Sequence, residues 1–413
     1  MHTPSVRALA AVMLALGIVL TNAAPAWSVA GDLDESFGGG GRVRTPLIGY
    51  SVVWDVAVQP DGRIVVGGET GFLGSSSAGA GVARYLANGS LDPTFSGDGR
   101  ATTTSVFGRA MALQSDGAVV VAGYKCCDVM GRYRFAVARF TSGGVLDPTF
   151  SGDGIVYARF AGESYALEAT VDAAGRILVA GFVNVASSRF GIVRFLPDGT
   201  LDPSFGGDGK VTTAFPRGTT SNDIVVQSDG RIVVVGGDDT GFVLARYLSD
   251  GSLDSSFGGD GRVRTNLVNG HASSVALQAD GRVVAAGTQD DRFAVARYTT
   301  QGDPDPSFGG DGVVLTSFSG QAFAFGVAVH SDGRIVVVGR AEASNRTVFA
   351  VVRYLAGGEL DGSFGGDGRV VTPFSERAVA HDVAIQGDGR IVVAGHATSG
   401  SNSHFALVRY LAD

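Results

Sequence analysis

The run Asp223-Ile224-Val225-Val226-Gln227-Ser228-Asp229-Gly230-Arg231-Ile232-Val233-Val234-Val235-Gly236 decides the fold. Two β-rich segments flank Asp229-Gly230, a pair that tolerates the positive φ angles of a tight hairpin. Beyond them, Phe242 to Leu248 reads as a third strand and Asp250-Gly251 turns the chain again. Leu253 to Phe257 then leads through Gly258-Gly259-Asp260-Gly261 into a fourth strand, Arg262-Val263-Arg264-Thr265. Four short strands joined by tight turns make an antiparallel meander. Ile232 to Val235 is apolar on both faces, so both faces need covering. Blades stacked radially in a ring supply that cover.

The unit recurs. A Leu-Asp or Pro-Asp step opens each copy at Asp34, Asp92, Asp147, Asp202, Asp254, Asp305 and Asp361, with spacings of 58, 55, 55, 52, 51 and 56 residues. A near-constant period of this size marks a repeat architecture. The ends imply a closed ring. Leu33 to Thr45 is a fourth-strand segment without a blade, and Phe405 to Leu411 is a third strand without an outer neighbour. Pairing them completes a seven-bladed all-β propeller of four-stranded antiparallel blades and removes the open edges. No helical periodicity follows the first thirty residues.

Those residues read as a signal peptide over 1–30, with the propeller over 31–413. Arg7 precedes the apolar run Ala8 to Leu20, and Ser28-Val29-Ala30 offers small residues before Gly31. The run is shorter than the roughly 20 residues a membrane span needs. A secreted monomer without a membrane span is therefore expected. The net charge of −8 argues against nucleic acid as a partner. The only cysteines, Cys126 and Cys127, are adjacent. Their Cα atoms stand about 3.8 Å apart, below the usual disulfide window, so a bridge between them would be strained.

The chain resembles the delta-60 repeat of secreted and surface bacterial proteins, which is related in pattern to NHL-type propellers. The residues that carry the resemblance are Val226 to Val234, Ala245-Arg246-Tyr247 and Leu253 to Gly261, and it extends over essentially all of 31–413. It implies a propeller and no common activity.

Residues present in every copy serve the blade first. Arg84, Arg139, Arg194, Arg246, Arg297, Arg353 and Arg409 recur in the third strand, each followed by an opening aspartate, with Asp34 serving the seventh. A bidentate Arg–carboxylate clamp between third and fourth strands is expected; the alternative is a ring of anion sites. Asp61, Asp116, Asp229, Asp280, Asp332 and Asp388 fall in the first hairpin turn, and Asp98, Asp153, Asp208, Asp260, Asp311 and Asp367 in the glycine-rich turn. Each turn brings one carboxylate where calcium takes about six to eight oxygens, so turn chemistry is the expectation. No phosphate loop, Gly-x-Ser-x-Gly elbow or His-Glu-x-x-His motif occurs.

Function is sought where the copies differ. Fourth-to-first and second-to-third loops share one face and vary strongly, as in Glu69 to Ala80, Tyr124 to Tyr133, Phe182 to Ser188 and His396 to His404. At the start of the first strand the seven copies carry Asp55, Ala110, Glu168, Asp223, Ser274, Gly326 and Asp382. The four acids at one mouth of the channel suggest a site for calcium or another divalent metal; otherwise each accepts backbone N–H bonds at a strand entrance. The leading expectation is a binding or scaffold propeller without catalysis or cofactor, presenting its variable face to a glycan, peptide or protein. The alternative is a metal-dependent hydrolase or lactonase-type propeller using Asp55, Glu168, Asp223 and Asp382.

Overall fold

The computed structural model describes residues 29–71, 78–126, 131–238, 240–400 and 402–412. Among them are twenty-eight strands and no helix. They form seven antiparallel sheets of four strands. The predicted signal peptide lies almost wholly outside the described residues, as does Cys127, and parts of the variable loops do too.

In the fourth blade the strands run Thr220–Val226, Ile232–Asp238, Gly241–Tyr247 and Arg262–Asn266. The first strand thus begins three residues before Asp223, so the acidic position lies within the strand and not at its start. The hairpin turn places Gly230 at φ 84°. Asp229 Oδ1 accepts the Arg231 N–H at 3.0 Å, and Asp260 Oδ1 accepts the Arg262 N–H at 3.0 Å. The repeated turn aspartates therefore cap their own turns, as local backbone chemistry requires.

Ring closure follows the expected pairing. Arg42–Thr45 aligns antiparallel with Phe405 to Val408, from Arg42 opposite Val408 to Thr45 opposite Phe405. The core is divided into seven wedges, each shared by two neighbouring blades. In one, Val233, Val235, Phe242 and Leu244 of the fourth blade pack against Val283, Ala285 and Tyr298 of the fifth. This explains the strands that are apolar on both faces. Each blade is covered by its neighbours, so no blade has a core alone.

Arginine completes the wedge. Each third-strand arginine donates from Nε to its opening aspartate at 2.7–2.8 Å. The pair is not bidentate. Nη2 goes to a Ser or Thr hydroxyl two residues beyond the aspartate, as from Arg246 to Ser256 at 3.0 Å. Nη1 reaches a carbonyl of the next blade, as from Arg84 to Ser142 O at 2.6 Å and from Arg353 to Ala412 O at 2.6 Å. The guanidinium also lies 4.5–4.8 Å from the centre of the Phe ring that ends the Asp-x-x-Phe step. One side chain thereby joins strand, turn and neighbouring blade. The tyrosine that follows it adds a second tie: Tyr85, Tyr247, Tyr298, Tyr354 and Tyr410 bond Thr45, Thr213, Thr265, Thr316 and Thr372 of the preceding blade.

Candidate ligand site in the central channel

Every first strand carries a β-bulge. The register slips between Val53 and Asp55, Gly108 and Ala110, Ala166 and Glu168, Ser221 and Asp223, Ala272 and Ser274, Ala324 and Gly326, and Ala380 and Asp382. The second strand supplies the reason this is tolerated. Gly236 faces the bulge, and a Cβ there would stand 1.9 Å from Thr220 O. Gly68, Gly123, Gly181, Gly287, Gly339 and Gly395 meet the same obstruction in the other blades, 1.8–2.0 Å from a first-strand carbonyl. A bulge adds one residue and re-aims its side chain. The added residues are Trp54, Arg109, Leu167, Asn222, Ser273, Phe325 and His381, and all seven line a cavity of about 540 Å³ in the channel. The cavity extends to Thr220 and His271. Both lie near the starts of their strands, so it reaches toward the variable-loop face.

Asp55, Glu168, Asp223 and Asp382 follow the bulges and line the same cavity. Their carboxylates accept backbone N–H groups, mostly across blade boundaries. Asp55 accepts from Met111 N, Asp223 from Val275 N at 2.7 Å and Ser274 Oγ at 2.9 Å, and Asp382 from Val56 N at 3.0 Å. Glu168 accepts from its own neighbour, Ala169 N, at 3.0 Å. Ser274 takes the equivalent part toward Val327 N at 3.3 Å.

Burial is the main force on these acids. It pushes Asp223 up to about 7 and Asp382 up to about 6, against the N–H bonds that favour the ionised form. Asp55 is raised well above the carboxylate range by burial and then by the charge of Asp382. Glu168 is raised likewise by burial, then by Asp55 and Asp223. Among the described residues no group of three or more His, Cys, Asp or Glu side chains is placed to hold a metal ion.

Around the acids the wall is aromatic and basic. Trp54 and His381 have ring centres 4.3 Å apart, and His381 Nε2 lies 3.1 Å from His396 Nδ1. Burial and the neighbouring charges of His396, Arg109 and Arg340 hold His381 well below the usual imidazole range, so it is neutral at pH 7. Arg109 spreads over Trp54 at 4.6 Å and reaches toward Tyr124 at 6.0 Å. Tyr124 continues into an arc with Phe107, Tyr133, Tyr165 and Phe182, at centre separations of 4.9–5.5 Å.

The sequence marks the four acids, with Trp54 beside Asp55 and His381 beside Asp382, but it shows neither the bulges nor the roles of Arg109, Leu167, Asn222, Ser273 and Phe325. The available signal was the glycine that recurs in every second strand, since a strand glycine often marks a bulge or close backbone approach.

These features define a closed propeller whose channel holds a ligand-sized cavity. The chain belongs to the DUF5122 beta-propeller family, a domain of unknown function whose model matches residues 59–95, 114–150, 175–205, 227–257, 278–308, 330–364 and 386–413. No curated protein matches the chain. Similar solved structures include a protein from Lactobacillus plantarum, 14% identical, covering 83% of this chain and 98% of that one at a TM-score of 0.48. Sqt1 from Chaetomium thermophilum is 13% identical over 90% of this chain and 98% of its own, with a TM-score of 0.47. A gluconolactonase from Xanthomonas campestris is 14% identical over 77% and 92%, with a TM-score of 0.39. These likenesses concern the fold alone.

Proposed function

We propose that the chain is an exported, non-catalytic ligand-binding propeller of the delta-60 kind, taking part of a glycan, peptide or protein into the central cavity from the variable-loop face. One observation carries this reading. The seven bulge positions hold seven different residue types, yet their side chains converge on one cavity. Blade architecture asks for the same residue each time, as it does at the clamp arginine. A position that differs in every blade and faces a shared cavity serves the cavity. The test is thermal unfolding against a library of sugars, amino acids and short peptides. Compounds that stabilise the wild type should lose that effect in Trp54→Ala and keep it in Ser115→Arg, on the opposite face. Stabilisation that survives Trp54→Ala and disappears in Ser115→Arg would move the site to the other face.

A metal-dependent hydrolase is the second reading, favoured by the four acids that share the cavity. The fit is poor: Asp55, Asp223 and Asp382 each commit an oxygen to a neighbouring blade's N–H. Stoichiometric calcium or zinc retained through purification would favour the hydrolase. So would a calcium-dependent rise in melting temperature that Asp223→Asn weakens.

A further inference from the structure

Arg109 differs from the arginines that build the fold. Each clamp arginine gives its donors to a carboxylate, a hydroxyl and a carbonyl. Arg109 makes no hydrogen bond or ion pair among the described residues, and its Nε is buried without a partner. It is half-buried in the cavity wall, held flat by Trp54 and Tyr124. Glu69 feels its charge, but burial raises the Glu69 carboxyl more than Arg109 lowers it. A guanidinium braced by two rings keeps its planar fork and has donors to offer. The bulge supplies the placement, because it turns Arg109 into the channel. The neighbouring ring position in the same blade is Ala110, so no carboxylate of its own blade competes for it.

We propose that the cavity binds a small organic carboxylate, with the ligand's carboxylate paired in the bidentate manner to Arg109 and its body against Trp54 and Phe325. This rests on the cavity-binding reading above and adds the ligand's class. The deeper ring selects carboxylate over phosphate. Asp382, at about 6, is mostly ionised at neutral pH and repels a dianion. Asp55 and Glu168 are both raised by burial and by the other acids, which weakens the negative charge they set against a ligand. Asn222 and Ser273 add neutral partners on the facing wall.

The chain carries two tryptophans, Trp27 and Trp54. In the full chain bearing Trp27→Phe, tryptophan emission comes from the cavity alone. The probes are benzoate against benzamide and glucuronate against glucose. At least one carboxylate should change Trp54 emission saturably, and its neutral counterpart should bind about 10-fold to 100-fold more weakly, the loss of one charged hydrogen-bonded pair. Arg109→Gln should erase the preference with no more than a small fall in melting temperature, from its lost contacts with Trp54 and Tyr124, and Arg109→Lys should restore part of it. Neutral probes that bind as well as the carboxylates, or a preference that persists in Arg109→Gln, would overturn the carboxylate inference and leave the cavity reading standing. If no probe of either kind perturbs Trp54, both fall.

Discussion

The seven opening aspartates and the four acids of the inner ring have the same chemistry in opposite surroundings. Asp254 is typical of the first group. Burial works against its ionised form, but the Ser256 hydroxyl and N–H and the Arg246 guanidinium outweigh it, and its pKa falls. Asp34, Asp92, Asp147, Asp202, Asp305 and Asp361 are lowered in the same way. Asp55, Glu168, Asp223 and Asp382 have N–H partners but no guanidinium in ion-pair contact, and burial prevails. A carboxylate given its own arginine in every blade is part of the scaffold. Carboxyls that appear in four blades of seven, without an arginine and facing a cavity, are not part of that clamp.

Removing the scaffold side of this comparison should have the largest effects. Deleting residues through Thr45 strips the outer strand from the last blade, leaving Phe405 to Val408 unpaired and Arg409 without Asp34. The expected outcome is aggregation or loss of a cooperative melting transition, seen by light scattering and calorimetry. A truncated chain that stays monomeric and melts as before would break the closed-ring description. Next comes Arg246→Met, which takes the inner guanidinium from Asp254 and Ser256 and the donor from the Thr300 carbonyl, leaving Asp254 with Ser256 and the more exposed Arg231. Denaturant unfolding should show a loss of about 3 kcal/mol, the low end for a broken buried pair because Arg231 stays beside Asp254.

Gly236→Ala tests the bulge itself. Its methyl would collide with Thr220 O, and the expected cost is about 1–3 kcal/mol, as for other overpacked positions. Unchanged stability would mean that the bulge yields easily and does not fix Asn222. Arg109→Gln stands at the small end. With no hydrogen bond or ion pair to lose, only its contacts with Trp54 and Tyr124, it should cost about 1 kcal/mol or less. A loss comparable to that of Arg246→Met would place Arg109 in the scaffold.

What the sequence disclosed follows from locality. Asp-Gly turns, the period and the Ala-Arg-Tyr step specify strands and blades through neighbours a few residues apart. Even the closure was legible, because Leu33 to Thr45 repeats a segment found in every other blade. The site was legible only as four acids at one repeat position. Its depth was not, because Asp55, Asp223 and Asp382 find their partners in Met111, Val275 and Val56 of the next blade, and contacts between blades leave no local pattern. Bulge residues were hidden for another reason. Alternation along an apolar strand cannot show where the register slips, and it is the bulge that turns Trp54 and His381 into the channel. The arginine clamp was foreseen in its partner and mistaken in its geometry, since the fork divides among three acceptors.

The contrast between the two carboxyl rings is tested most directly by melting temperature against pH, for the wild type and Asp223→Asn. The lowered scaffold aspartates contribute stability that is present above about pH 4 and lost as pH falls through their folded pKa values. The raised inner acids work in the other sense. Their contribution is full below about pH 4 and lost as pH rises through the folded values of about 6 and about 7 for Asp382 and Asp223. Wild-type stability should therefore peak between about pH 4 and about pH 6 and decline toward about pH 8, with a shallower decline in Asp223→Asn. A wild-type profile that is flat or rising over that upper range, or a variant that falls as steeply, would contradict the division of the carboxyls into scaffold and site.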